Sequence, residues 1–205
     1  MDRRIFIFIA FVIAALVWSA ISPHDRFTWF LEVSPVLVAL PAMLATQRRF
    51  PLSTLALVLI AVHALILIVG GHYTYARVPL GEWAQSWFGW TRNDYDKIGH
   101  FAQGFVPAIL AREVLLRVSP LRGSRWLGPL VVCVCLAISA SYEIVEWLVA
   151  ISTGTAADDF LGTQGDVWDT QSDMAAALIG AVAAVLLFSR VHDRSLRRLR
   201  IESSI

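Results

Sequence analysis

The chain has 205 residues, of which 57% are hydrophobic and only 16% are charged. Soluble domains are about 45–50% apolar and about 25% charged, so this composition excludes an ordinary soluble domain and indicates an integral membrane protein. The net charge of +1 is uninformative about nucleic acid, because the charges are segregated along the chain rather than pooled in a basic patch. No nucleic-acid partner is expected, and membrane lipids are the expected partners.

The hydrophobic residues are concentrated in six long segments that contain few charges. Each segment approaches the roughly 20 residues that a helix needs to cross a bilayer. This predicts an all-α, polytopic bundle that forms one transmembrane domain over residues 1–205. In the last segment, Ala176, Gly180 and Ala184 form a small-xxx-small stripe, which predicts close approach of another helix. The predicted spans are roughly 5–22, 28–46, 51–71, 98–116, 126–151 and 171–189.

The connection between the third and fourth spans contains a group of tryptophans. Trp83, Trp87 and Trp90 recur at i, i+4 and i+7, so they share one face of a short helix over roughly 80–90. Because indole rings favour the membrane interface, this helix is predicted to lie flat on the outer surface. It would act either as an anchor or as a lid over a site beneath it.

The basic residues predict the orientation of the chain in the membrane. With the N-terminus inside, all but four of the 17 Lys and Arg residues fall on the cytoplasmic side, as the positive-inside rule requires. The exceptions are Arg26, Arg77, Arg92 and Lys97. The sequence therefore predicts a multi-pass protein with both termini in the cytoplasm. Its basic tail at 190–205 is expected to contact anionic lipid.

Three of the predicted spans carry ionisable side chains at their outer ends. Asp96 and His100 are spaced i, i+4, and Glu143 and Glu146 are spaced i, i+3, so each pair shares a helix face. Ionisable groups within a bilayer cost free energy, and they are therefore interpreted as functional. The third group, at i, i+3 and i+7 on the face of an entering helix, comprises Asp166, Asp169 and Asp173.

This pattern of side chains favours a divalent metal ion. Two carboxylates about 5 Å apart repel by roughly 3 kcal/mol at an effective dielectric constant of 20, so Glu143 and Glu146 need a proton, a basic side chain or a cation between them. Carboxylates and one His suit Mg²⁺, Mn²⁺, Ca²⁺ or Zn²⁺. His63 and Glu32 are weaker candidates, typical of a helix contact and of an interfacial residue. The predicted metal ligands are Asp96, His100, Glu143, Glu146, Asp166, Asp169 and Asp173.

Several long motifs between residues 73 and 174 are distinctive. They are YTYARVPLGEW (73–83), RNDYDKIGHFAQGFVPA (92–108), SYEIVEW (141–147) and DDFLGTQGDVWDTQSDM (158–174). These motifs closely resemble the YjdF family of bacterial inner-membrane proteins. The resemblance extends over nearly the whole chain and implies a location in the bacterial inner membrane.

Two shorter patterns are similar to the VanZ-like membrane proteins linked to glycopeptide resistance. They are D-K-x-x-H-F at 96–101 and D-x-x-D-x-x-x-D at 166–173. That second pattern usually ends in Asn, whereas this chain has Asp173, which adds a charge. The shared positions are Asp96, Lys97, His100, Asp166 and Asp169.

Three functions agree with these features. The first is a metal-dependent hydrolase or transferase that acts on a lipid or lipid-linked head group, with His100, Glu143 and Glu146 as the catalytic residues. The second is a non-catalytic membrane protein whose buried acids hold helices together or dock a partner. The third is a proton-coupled carrier. The carrier is disfavoured because the acids lie to one side, no internal repeat is visible, and the inner half is poor in ionisable side chains.

Overall fold

The computed structural model describes residues 3–202, except for the side chains of residues 155–156 and 200–202. Within this range the chain is helical and contains no β-strand, which confirms the all-α prediction. Two single turns of 3₁₀ helix, at Tyr75–Arg77 and Gly154–Ala157, connect longer elements. The helices are α1 (Arg3–Ser19), α2 (Arg26–Thr46), α3 (Thr54–Tyr73), α4 (Pro79–Phe88), α5 (Tyr95–Val118), α6 (Leu127–Thr153), α7 (Asp158–Leu161) and α8 (Asp169–Glu202).

Four of the described helices, α2, α3, α6 and α8, are long and apolar enough to cross a membrane. Helix α1 has 17 residues, slightly fewer than a typical span. Helix α5 has 24 residues, but Gln103, Arg112 and Glu113 lower its hydropathy. By length and hydropathy, four of the described helices are therefore candidate membrane spans, and six spans remain a prediction.

Local capping explains where several helices begin and end. The carboxylate of Asp25 accepts a hydrogen bond of 2.7 Å from the backbone N–H of Thr28, so α2 begins earlier than predicted. The hydroxyl of Ser53 caps α3, which begins three residues later than predicted and extends beyond residue 71. In α4, Pro79 occupies the first turn, and the helix ends at Gly89 in a left-handed conformation.

Helix α8 continues well past the predicted end of the last span. The prediction placed a span at 171–189 and a separate basic tail at 190–205, but the helix runs without interruption to Glu202. His192 and Leu199 are buried, so packing of one helix face extends through the predicted tail. Residues 203–205 of the predicted tail lie outside the described residues.

Helices α5 and α8 approach each other backbone to backbone. A Cβ atom added at Gly104 of α5 would lie 1.8 Å from the carbonyl oxygen of Ala177, and one added at Gly180 of α8 would lie 2.1 Å from that of Phe101. Glycine is therefore required on both sides of the contact. This close approach places the first turns of the two helices, and their ionisable residues, side by side.

Two of the three buried apolar clusters in the described residues hold the long helices together. One lies between α3, α5, α6 and α8 and includes Ile109, Val131 and Ala181. The other lies between α1, α2 and α3 and includes Val12 and Ile68. Helix α3 contributes to both cores and packs against α5, whereas α2 packs against α3 and the short α7. A cavity remains between the two groups of helices.

Candidate functional site

The structure brings the beginnings of α5 and α8 and the end of α6 together at one end of the bundle. His100 lies at the centre. Its Nε2 is 3.3 Å from Oδ1 of Asp96 and 3.8 Å from Oδ1 of Asp173, whereas its Nδ1 is 3.8 Å from Oε1 of Glu143. We call these four residues and Glu146 the acidic cluster. Its location at a single end of the bundle agrees with the sequence-based expectation.

Five of the seven predicted metal ligands meet in this cluster. They form two overlapping sets, Asp96–His100–Asp173 and His100–Glu143–Glu146, and the potential ligand atoms of each set lie within 4.8 Å of one another. Glu143 is only 7% exposed and Glu146 only 8%. Both sets could hold a metal ion, and His100 belongs to both.

The other two predicted ligands, Asp166 and Asp169, lie beside basic side chains. Oδ1 of Asp169 accepts hydrogen bonds from Arg92 at 2.8 Å and from Lys97 at 2.9 Å. Asp166 precedes α8, so the prediction that it shares a face of that helix is wrong. Its Oδ1 accepts a hydrogen bond from the backbone N–H of Trp168, and its Oδ2 accepts one from Arg92. The assignment of Asp166 and Asp169 as metal ligands remains a prediction.

Arg92 also ties two loops together. It donates hydrogen bonds to the carbonyl oxygens of Gly162 and Thr163, and the side chain of Gln164 pairs with the backbone of Asn93 at 3.0 and 2.8 Å. Burial lowers the pKa of Arg92, but the hydrogen bond and the charge of Asp169 outweigh burial, so the pKa is raised. This network is a stable ion-paired connection between the segments before α5 and α8.

Towards the interior of the protein, carboxylates are less completely paired with basic side chains. Asp173 is paired with Lys97 at 2.6 Å, but Oε1 of Glu143 and Oδ2 of Asp96 are buried and have no hydrogen-bond partner among the residues described. A buried acceptor without a donor costs free energy, and more if it is charged. Because Oδ2 of Asp96 lies within ion-pair distance of Lys97 at 3.7 Å and of Arg92 at 4.0 Å, Oε1 of Glu143 is the carboxylate oxygen of the acidic cluster that is best placed for a ligand.

A cavity of about 660 Å³ opens beside the cluster, and additional polar residues line its acidic end. Glu32 is buried at 4% exposure and is a hydrogen-bond partner of Tyr75. His63 lines the same cavity, and its Nε2 finds no partner within the described part of the chain. Glu32 is therefore a buried lining residue of the cavity, and its position at the membrane interface stays a prediction. A carboxylate inside an apolar segment is the same signal that identified Glu143.

The tryptophans of α4 do not cover this cavity. Trp83 and Trp87 are 61% and 81% exposed, and no α4 residue appears in the described lining. Trp90 is 46% exposed and lies beyond the end of α4 at Phe88, so the prediction that it shares a face of this helix is wrong. Phe160 of α7 and Tyr142 of α6 line the acidic end instead. This arrangement favours the anchor over the lid for α4.

A second buried polar cluster lies near the opposite end of α5. Glu113 is 0% exposed, and its Oε1 accepts hydrogen bonds of 2.9 Å from the backbone N–H of Ser53 and from Arg117. Its Oε2 lies 3.1 Å from Nε2 of His192, which is also fully buried. The expectation that this half of the protein is poor in ionisable side chains is therefore wrong.

The same cluster continues through His192 to a further ion pair. Nδ1 of His192 lies 3.0 Å from Arg112, and Arg112 donates a 2.8 Å hydrogen bond to Asp193. We call Glu113 and these partners the Glu113 cluster. On α5 it lies 13 residues from His100, or about 20 Å at 1.5 Å per residue.

Comparison with known proteins places the chain in a family. The sequence profile of the family described as "Predicted membrane protein (DUF2238)" matches residues 4–194. The inner membrane protein YjdF of Escherichia coli (strain K12) is 55% identical over 183 residues, which cover 89% of this chain and 88% of the relative. No solved structure matches the chain.

The chain therefore belongs to the DUF2238 family of membrane proteins, and the resemblance to YjdF is confirmed. The more distant resemblance to VanZ-like proteins remains a prediction.

Proposed function

We propose that this family member is a metal-dependent hydrolase or transferase of the bacterial inner membrane that acts on the head group of a lipid or lipid-linked molecule. One observation carries the proposal: Oε1 of Glu143 is buried without a hydrogen-bond partner in residues 3–202, beside Glu146 and His100. Two ionised carboxylates within 4.8 Å repel by roughly 3 kcal/mol at an effective dielectric constant of 20, and a divalent cation removes this cost.

The set formed by His100, Glu143 and Glu146 fits such an ion best. A metal-bound His commonly donates its second ring N–H to a carboxylate, and Asp96 lies 3.3 Å from Nε2 of His100. Nδ1 is then the ligand atom, on the side of Glu143. Asp173 is a weaker ligand because its Oδ1 already forms an ion pair with Nζ of Lys97 at 2.6 Å.

Small movements would complete this site. Ligand–metal distances are about 2.0–2.2 Å, so ligand atoms up to 4.8 Å apart need to move closer by about 1 Å. The side-chain amide of Gln103, whose Oε1 lies 3.2 Å from Nδ1 of His100, would also have to turn away. Three protein ligands next to an open cavity are typical of a catalytic metal site rather than a structural one.

The chemistry that such an ion supplies is Lewis-acid activation of water and of a phosphoryl or carbonyl oxygen. The protein residues have separate roles around it. Asp96 orients His100, and Glu143 holds the site from the protein interior. Glu146 lines the cavity, so the carboxylate oxygen that does not hold the metal would be placed to take a proton from an attacking water and to return it to the leaving group.

We also propose that the acidic cluster faces away from the cytoplasm and that both termini lie inside. At the opposite end of the bundle, Arg117 contacts the carbonyl of Pro51, and Arg4 donates to Thr54. The positive-inside rule assigns this arginine-bearing end to the cytoplasm. Reporter fusions test the orientation: a C-terminal fusion should be active only with a cytoplasmic reporter, and one at residue 90 only with a periplasmic reporter.

Metal content measured by mass spectrometry on purified protein tests the metal site. We expect the wild type to hold close to one divalent ion per chain, and Glu143→Gln and Glu146→Gln to lose it. Glu82→Gln, which alters an exposed acid on α4, is the matched control and should retain the ion.

In cells, Glu146→Gln should change the profile of membrane lipids and envelope precursors. A metal-free wild type together with an unchanged profile would contradict the proposal.

The ion-paired network of Arg92 and Lys97 favours a second candidate, a protein whose acids only hold helices together. In that case substitutions of Glu143 or Glu146 should lower the amount of folded protein as much as substitution of Asp169. The enzyme proposal expects the opposite, with abundance preserved in the glutamate variants and metal lost.

A further inference from the structure

The cavity beside the acidic cluster is elongated. Its lining on α5 follows one helix face from Asp96 through His100, Gln103 and Leu110 to Val118. This stretch covers 22 steps along the helix, or about 33 Å at 1.5 Å per residue. The hydrocarbon core of a bilayer is about 30 Å thick, so the cavity extends along most of the depth of the membrane.

The polarity of the walls changes along this length. All the ionisable lining residues of α2, α5 and α6 lie towards the acidic end and include Glu32, Asp96 and Glu146, whereas the hydroxyl-bearing Thr46 lies at the far end of α2. Further along α5 the lining is apolar, and α2 faces it with an apolar surface. The apolar lining of these two helices includes Val106, Leu110 and Val114 of α5 and Val36, Leu40 and Met43 of α2. A polar end joined to a long apolar channel matches the shape of a lipid.

In the described part of the chain, the lining helices α2 and α6 do not pack against each other along their length, and only the short α7 contacts both. Helix α2 packs against α3, and α6 packs against α5 and α8, so the lining helices α2 and α6 belong to different groups. Ala39 of α2 and Ile138 of α6 both line the cavity and are exposed. A hydrocarbon chain could therefore enter from the bilayer between these two helices.

We propose that this cavity binds one hydrocarbon chain of a phosphate-bearing lipid, with the phosphate at the acidic cluster. This inference rests on the proposed function and names the substrate class for that site. A water molecule takes about 30 Å³ of liquid, so 660 Å³ corresponds to on the order of 20 groups of that size, enough for a single chain.

The head group, rather than the hydrocarbon chain, should determine which lipid the cavity binds. Apolar walls offer a chain little more than the surrounding lipid tails do, because both are equally apolar. The acidic end repels a phosphate, since Glu32, Asp96 and Glu146 surround it. The divalent ion of the proposed site reverses this repulsion. Lipid binding and metal binding are therefore coupled.

Lipid retention measured by native mass spectrometry tests the inference. The protein is reconstituted in vesicles of phosphatidylethanolamine and phosphatidylglycerol and then extracted in mild detergent. Ala39→Trp and Leu110→Trp fill the apolar part of the cavity from two different helices. We expect the lipid-bound fraction to fall at least tenfold in both. Val38→Trp, at a neighbouring position that is 71% exposed and outside the described lining, should behave like the wild type.

Metal content and folding, by circular dichroism and gel filtration, are measured on the same samples. Folded Ala39→Trp and Leu110→Trp proteins that keep wild-type lipid overturn the inference, and if they also keep the metal, the proposed function stands. A metal-free wild type whose lipid is still lost in both filled variants overturns the proposed function and supports the cavity assignment. Chelation should release lipid from the wild type, and retention after chelation would overturn the placement of the phosphate.

Discussion

The acidic cluster and the Glu113 cluster are two buried polar regions on the same helix, yet they differ in how their atoms are paired. Glu113 accepts hydrogen bonds from Ser53 and Arg117 and lies within hydrogen-bond distance of His192. In the acidic cluster, Oε1 of Glu143 and Oδ2 of Asp96 have no such partner in the described range. A buried polar network with every member paired rigidifies a fold, whereas unpaired groups indicate that something else binds there.

The charges differ in the same way. Around Glu113, two acids face two arginines and a histidine. Around His100, the four acids of the acidic cluster outnumber the two basic side chains, Lys97 and Arg92, that pair with them, and Glu32 adds a further carboxylate near the cavity. Removal of a carboxylate should therefore lower the folding stability at the Glu113 cluster and raise it at the metal-free acidic cluster.

The largest effect is expected for Glu113→Ala. It leaves the buried Nε2 of His192 and the N–H of Ser53 without their acceptor and removes one of the two acceptors of Arg117, which should cost about 3–5 kcal/mol of folding free energy. Thermal or denaturant unfolding in detergent measures the loss. Glu82→Ala, at an exposed position, should change stability little. A loss below about 1 kcal/mol for Glu113→Ala would show that the cluster behaves like a surface ion pair.

Gly180→Val tests the helix contact that places both clusters. Its Cβ would lie 2.1 Å from the carbonyl oxygen of Phe101, so α5 and α8 must separate, at a cost of about 3 kcal/mol, the upper end of ordinary overpacking. We expect both lower stability and weaker metal binding. Gly128→Ala is the control, because its Cβ would meet only a side-chain methyl group of Val185 at 3.3 Å. Unchanged metal binding in folded Gly180→Val would contradict the role of this contact.

Glu143→Gln should act in the opposite direction from Glu113→Ala. Removing one of two neighbouring buried carboxylates relieves repulsion, and we expect the metal-free protein to gain about 2 kcal/mol of stability. Metal content should fall to background in the same sample. The comparison between the two clusters is mistaken if the substitution destabilises the metal-free protein as Glu113→Ala does.

The smallest effect is expected for Asp169→Asn. Its partners Arg92 and Lys97 are 13% and 23% exposed, so the pairs are partly screened, and the loss should be about 1 kcal/mol. Metal binding should be retained, since Asp169 lies outside both candidate ligand sets. Asp158→Asn, at an exposed position, is the control. Loss of the metal in Asp169→Asn would instead show that Asp169 is a metal ligand, as the sequence predicts.

The amino-acid sequence by itself determined the membrane class, the helical fold and the family. Hydrophobic segments near 20 residues are a strong local signal, because a helix must satisfy its own backbone hydrogen bonds in lipid. It also identified Glu143, Glu146, Asp96 and His100, because an ionisable residue in an apolar segment stands out without any knowledge of its neighbours. Asp25 and Ser53 are of residue types that favour the N-cap of a helix, but the predicted span boundaries did not take them into account.

Only the tertiary structure decided which of these groups are paired and which are left over. Asp169 meets Arg92 across 77 positions of the sequence, and Glu113 meets His192 across 79, distances over which no local pattern predicts contact. The continuation of α8 through the basic tail likewise depends on the burial of His192 against α5. Charges on different helices pair only when those helices pack side by side, and the spacing of residues along one helix does not predict such pairs.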